Sequence, residues 1–178
     1  MILQRIRQFI RAMRAKITPD DIALIERHLT IEARPLFFAM AVIDQCHAVS
    51  VARTAMKIAS QRKSCDVDDG LLARCALLHD VGRRNGDMGP MGGVWGKTLT
   101  VLLGAAFPDW SRRRAKSGKG DIISRWLFVY YHHASIGADM LEAIGLAREA
   151  GIIRRHHDIG SDGDEAELKI LREADGLN

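Results

Sequence analysis

No stretch of this 178-residue chain approaches the roughly 18 consecutive apolar residues of a membrane span; the longest candidate, TLTVLLGAAF at 98–107, is too short. No N-terminal segment with a small-residue cleavage site reads as a secretory signal. Period-2 alternation, the mark of half-buried strands, is also missing. Cysteine is scarce: Cys46, Cys65 and Cys75 are an odd number with no C-x-x-C spacing. That argues against a disulfide framework or a zinc knuckle and suits free thiols in a reducing compartment. Neither charge sign dominates, since the net charge is only +4. Such an excess suits a small anionic substrate but not stable binding of nucleic acid. With 47% apolar and 27% charged residues, wholesale disorder is excluded. The expectation is a cytoplasmic protein of one domain with an appendage, long enough to bury a core and without internal repeats.

What is present reads as helix. Ile2, Ile6, Ile10 and Met13 share one face of residues 2–16, with Arg5, Arg7, Arg11, Arg14 and Lys16 around the rest. This basic amphipathic segment is read as packing on the domain in preference to touching anionic lipid. Thr18 before Pro19 and Asp20 is an N-cap followed by proline at the first helical position. A short helix is expected within 29–38. Residues 44–61 form a strong one, with His47 on or beside its apolar face. A loop and cap at 66–70 then lead into a helix ending on His79–Asp80. Residues 85–97 hold five of the sixteen glycines and predict a loop; 107–121 predict a basic loop or helix end. Further helices are expected over 122–133, 135–145, 146–157 and 165–175. Residues 1–40 are thus an N-terminal helical extension on a domain spanning 41–178.

One motif fails on inspection. GGVWGKT resembles a phosphate-binding loop, but the position needing its first glycine is Met91 and no apolar strand precedes it.

The histidines are more informative. Of seven, all but His28 fall at His47, at His79 beside Asp80, and in the doublets His132–His133 and His156–His157. A lone histidine on an apolar helix face is usually a satisfied core residue, as is expected of His28. Several on separate helices at apolar-to-polar junctions are costly to bury unpaired, and a shared metal would satisfy them together.

His47, His79–Asp80 in HDVGR and Asp175 in LREADGLN resemble the H…HD…D signature of HD-domain phosphohydrolases. YHHASIGADML and RRHHD extend the likeness to the HDIG and HD-GYP branches over residues 44–178. The resemblance implies an all-α HD-domain helical bundle around two divalent transition metals, iron or manganese by preference, with zinc, cobalt or nickel as alternatives. His47, His79, Asp80 and Asp175 would hold one ion; His133, His156 and His157 would hold the other, with Asp80 bridging. Such a pair, ~3.5–4 Å apart, activates water and clamps phosphoryl oxygens. Spacing to Gly137 selects His133 over His132, and helical geometry turns His132 elsewhere.

This chain departs from the pattern at several positions. The family lysine after HD-x-G is Arg83, which binds phosphate but cannot act as an acid. The GYP segment is absent. Ile43 stands where a third-metal glutamate would be, so two metals are expected. Ala134 replaces a proline, and the helix of Asp175 needs support from elsewhere, for which the N-terminal helices are the candidates. Arg112, Arg113, Arg114, Lys116 and Lys119, between Trp110 and Trp126, are either a solvated basic loop or a phosphate-gathering lid with an aromatic surface for a base. Trp95 could contribute similarly.

The expected function is metal-dependent hydrolysis of a phosphate ester of a nucleotide or small molecule, monoester or diester, with Asp80 and Arg83 as catalytic residues. The alternative is a non-catalytic, metal- and nucleotide-binding regulatory module. A di-iron oxygenase is a third reading.

Overall fold

The computed structural model describes residues 16–62, 67–83, 94–116, 118 and 120–178, with side chains omitted over 94–99. The segment 2–15, Cys65, the glycine-rich stretch up to 93, the side chain of Trp95 and Lys119 lie outside the described residues. The fold is all-α: about 73% helix, with no strand among the described residues.

The helices are α1 (Pro19–His28), α2 (Ala33–Phe38), α3 (Val42–Arg62), α4 (Asp69–Leu78), α5 (Val94–Ala106), α6 (Pro108–Arg114), α7 (Ile122–Ala143), α8 (Ala147–Arg154) and α9 (Ala166–Leu177). None of these is long and apolar enough to cross a membrane. The caps follow the local sequence. Thr18 and Asp21 form a reciprocal capping box on α1. Asp68 accepts from the Leu71 amide to open α4, and Asp121 does the same for Ser124 of α7. Helix α7 stops at Gly145, whose φ of +82° disfavours a side chain, while the Leu146 amide reaches back to the Leu141 carbonyl.

Helix α4 is the centre of the molecule. All of Leu71–Leu78 is buried except Arg74, and each buried leucine contributes about 2 kcal/mol. Arg74 donates from Nε to Glu149 of α8 at 2.6 Å. Helix α3 presents Ala48, Ala52, Ala55 and Ala59 at helical spacing; these small side chains allow α4 to pack closely. Helix α9 lies against both α3 and α4. Helix α8 joins α4 and α7, whereas α5 and α6 pack on α7. Ile25, Leu29, Ala33, Phe37 and Met40 of the N-terminal region enter the same core.

Three local expectations are corrected and one is narrowed. Helix α5 begins at Val94, inside the segment expected to be loop, because the apolar run that follows continues back through it. Of the two alternatives for the basic segment, the helix end is found: Arg112, Arg113 and Arg114 form the last turn of α6, which Pro108 opens. Residues 122–143 are one helix with no break after His133: Ala134 keeps its amide and favours helix where a proline would not. Finally, among the described residues α9 packs chiefly on α3 and α4, not on α1 or α2.

Candidate metal centre

Five elements bring the predicted residues together. His47 comes from the second turn of α3, His79 caps α4, and Asp80 lies in the turn behind it. His133 is in the middle of α7, His156–His157 follow the end of α8, and Asp175 lies near the end of α9. The ligand atoms of His47, His79 and Asp80 fall within 4.8 Å of one another, and so do those of His133, His156 and His157. These are the two halves expected from the sequence.

Asp175 belongs to the first half. Its Oδ1 accepts from His47 Nε2 at 3.0 Å and lies 3.7 Å from His79 Nε2. Asp80 lies between the halves: Oδ2 is 3.6 Å from His79 Nε2, while Oδ1 is 3.4 Å from His133 Nε2. Its side chain is only 1% exposed. Burial of a carboxylate at this depth requires positive partners around it.

Three imidazoles are oriented by the same backbone device. Nδ1–H of His79 donates to the Ala76 carbonyl at 2.8 Å, that of His133 to Tyr130 at 2.9 Å, and that of His156 to Ile153 at 2.6 Å. Each acceptor is the carbonyl three residues back. The bond fixes the tautomer, so each Nε2 presents a lone pair inward. His156 Nε2 and both Asp80 oxygens are buried without a hydrogen-bond partner among the described residues. Arg83 Nη1 is 2.9 Å from Asp80 Oδ2, an ion pair off hydrogen-bond alignment. Unsatisfied imidazole nitrogen and carboxylate oxygen facing one another form a donor set that fits a first-row divalent cation.

Electrostatics prepare these groups for that role. Burial alone would raise Asp80, but the Arg83, His79, His133 and His47 charges hold it well below the usual carboxylate range. Asp175, likewise opposed by burial, is held at about 2 by the His47 hydrogen bond and the charge of His79. Burial, then the charges of His79 and His157, push His156 down to about 3. Burial and Arg83 also lower His133 and His157. His47 differs: burial opposes its proton, yet the Asp175 hydrogen bond and the charges of Asp80 and Asp175 raise it. At neutral pH the second half is therefore neutral imidazole and the carboxylates are ionised, the states in which these groups coordinate metal.

Packing of α7 against the Asp80 turn depends on two glycines. A Cβ on Gly82 would lie 2.0 Å from the His133 carbonyl oxygen and 2.8 Å from the Gly137 amide nitrogen. A Cβ on Gly137 would meet Gly82 N at 3.2 Å. The turn and the helix thus touch backbone to backbone, and this close approach sets His133 beside Asp80. Gly82 in sequence looks like an ordinary helix stop. The signal for its role is the pairing of a glycine two residues after Asp80 with one four residues after His133.

His132 is exposed and its ring lies 4.7 Å from that of Phe128, outside both halves. His28 is half-buried at the end of α1 and belongs to neither half. His157 is exposed and donates from Nε2 to His133 Nε2 at 2.9 Å. With half-buried His47, Asp175 and Arg83 it forms the open side of a site whose floor is buried. The loop between His157 and α9 is tied down: Arg172 donates to Asp164 Oδ2 at 2.5 Å and to the Arg155 carbonyl at 2.7 Å.

The aromatic surface expected around the basic segment is only half present. Trp126 is buried against Val129 and Ile122, so it offers no face to a ligand. Trp110 is 38% exposed, with the Arg114 guanidinium 5.4 Å from its ring centroid. Arg114 also pairs with Asp121, while Arg112, Arg113 and Lys116 are exposed. Cys75 is buried and Cys46 half-buried, both as free thiols. Scans and searches with this chain against protein-family models, curated proteins and solved structures found no match.

Proposed function

We propose that this chain is a metal-dependent phosphohydrolase of the HD-domain type, hydrolysing a phosphate ester of a nucleotide or another small molecule. The observation that carries the reading is the buried, ionised Asp80 between two groups of histidines drawn from separate helices. His47, His79, Asp80 and Asp175 would hold one divalent transition metal, iron or manganese by preference. His133, His156 and His157 would hold a second, with Asp80 shared. When bound, two such cations supply a nucleophile from water near neutral pH and neutralise charge on a phosphoryl group.

The chain's own residues have distinct tasks in this reading. The carbonyls of Ala76, Tyr130 and Ile153 keep His79, His133 and His156 in the tautomer that directs Nε2 inward. The Asp80 carboxylate holds the two halves in register. Arg83, at the open side, offers a planar set of donors to a phosphate, a charge-assisted contact that strengthens as charge develops. Arg112, Arg113 and Lys116 are exposed cations that add to the field drawing in an anion. The setting proposed is the cytoplasm, where Cys46 and Cys75 remain thiols.

The test is turnover of phosphomonoester and phosphodiester panels by protein loaded with manganese or iron, beside Asp80→Asn. Hydrolysis lost in Asp80→Asn by ~10³-fold or more supports the reading. Metal-loaded protein that is inert across both panels, yet binds a nucleotide tightly, favours the regulatory alternative. The engagement of Arg83 with Asp80 and His133 is the observation on that side.

A further inference from the structure

Arg83 is placed unusually for a residue meant only to meet a substrate. Its Nη1 is 2.9 Å from Asp80 Oδ2, and its Nη2 donates to His133 Nε2 at 3.0 Å. The guanidinium therefore holds the His133 lone pair that a cation in the second half would need, together with the Asp80 oxygen that faces His79. His133 has one inward lone pair, because its Nδ1–H is already given to Tyr130. That lone pair is approached by Arg83 Nη2 and by His157 Nε2, two donors for one acceptor. Arg83 Nε, meanwhile, is buried with no partner among the described residues. This seat satisfies the guanidinium only in part.

We infer that the Arg83 guanidinium is a resident cation of the His133 half, competing with a metal ion for Asp80 and His133. The inference rests on the reading of the cluster as a two-metal centre. It makes the halves unequal. The first, built on His47, His79, Asp80 and Asp175, disturbs only the Arg83–Asp80 Oδ2 ion pair, which lies off hydrogen-bond alignment, and leaves the bond to the His133 lone pair in place. The second fills only as Arg83 releases His133 Nε2, exchanging a singly charged donor for a doubly charged ion at that lone pair. Arg83 is free to meet an anion, Nε included, only after that exchange. Lysine at this position would offer a compact ammonium with rotatable donors in place of a rigid planar fork, and so a less fixed hold on the two acceptors. The substitution of arginine for the family's lysine thus sets the order of metal binding.

The experiment is calorimetric titration of the chelator-treated full chain with Mn²⁺, with bound metal counted by elemental analysis. Wild type is expected to show one tight and one weak step. Arg83→Gln should tighten the weak step by about tenfold or more, while the tight step moves by less than about threefold. Arg83→Lys should fall between them, and it remains informative if Arg83→Gln does not fold. A weak step unchanged or weakened in both variants overturns the competition. So does an equal shift of both steps, which would reflect general electrostatics alone. No Mn²⁺ bound in either half by any of these proteins would instead overturn the two-metal reading.

Discussion

Gly82→Ala tests whether the approach of two backbones sets the site. The added Cβ would lie 2.0 Å from the His133 carbonyl oxygen, where ordinary C···O contact begins near ~3.3 Å. The obstacle is helix backbone, which has no rotamer to change, so α7 or the Asp80 turn must retreat by about 1 Å. Gly82 does not have positive φ, so alanine itself is compatible with the backbone and reduces the entropy of the unfolded chain. Overpacking outweighs that gain, and the expected loss is about 2–3 kcal/mol in urea denaturation. The same displacement carries His133 Nε2 away from Asp80, far beyond the ~0.2 Å that metal ligation tolerates, so the second metal step should vanish. Two other glycines calibrate the argument. Gly137→Ala meets Gly82 N at 3.2 Å and should cost about 1 kcal/mol. Gly151→Ala, on an exposed face of α8 with nothing within 4 Å, should stabilise by about 0.5–1 kcal/mol. A Gly82→Ala protein as stable as wild type, or a different order among the three, would refute the reasoning.

In chelated protein, stability should fall as pH drops from 6.5 towards 4.5, because His156 is held to about 3 in the fold and the unfolded chain takes up the proton first. Two pH units at 1.36 kcal/mol each give about 3 kcal/mol. His47, raised in the fold, acts with the opposite sign and only above 6.5, and Asp175 loses its contribution only below 3.8. Urea titrations across this window should therefore slope downward with acid, and His156→Gln should make the slope shallower, the remainder coming from His133 and His157, which the fold also lowers; an unchanged slope in that variant refutes the neutral seating. Glu149→Ala leaves half-buried Arg74 without its carboxylate at the centre of the molecule and should cost about 2 kcal/mol in the same assay, between the values for exposed and fully buried pairs; a loss under about 0.5 kcal/mol would show that water replaces the partner.

The all-helical character, the caps at Thr18 and Asp68, and the grouping of the histidines could all be read locally. Caps are decided within a few residues, and histidine doublets are too specific to be read as random surface groups. What could not be read depends on contact between distant segments. The end of α4 looks like a simple stop until α7 is laid against it, and only then does Gly82 face the His133 carbonyl. Trp126 has no local mark distinguishing it from the exposed Trp110; its burial follows from its packing with Val129 and Ile122. The continuity of α7 through Ala134 likewise has no local mark, since alanine permits helix without demanding it.

The geometry also bears on what metal would do to the fold. In small metal-folded domains the ligands come from an otherwise disordered chain, and the ion supplies the folding energy. Here the ligands sit on helices that bury their own apolar faces in one core drawn from α1–α4 and α7–α9. Three imidazoles are oriented by carbonyls of their own local backbone, and the buried Asp80 already has the Arg83 guanidinium beside it. The two carboxylates are thus compensated by groups of the chain itself, Arg83 at Asp80 and His47 at Asp175. A cation entering such a site replaces an existing partner and does not create the arrangement. Metal affinity would accordingly be set by what the ion must displace as well as by what it gains. Arg83 would then be the residue at which occupancy can be tuned without rebuilding the core.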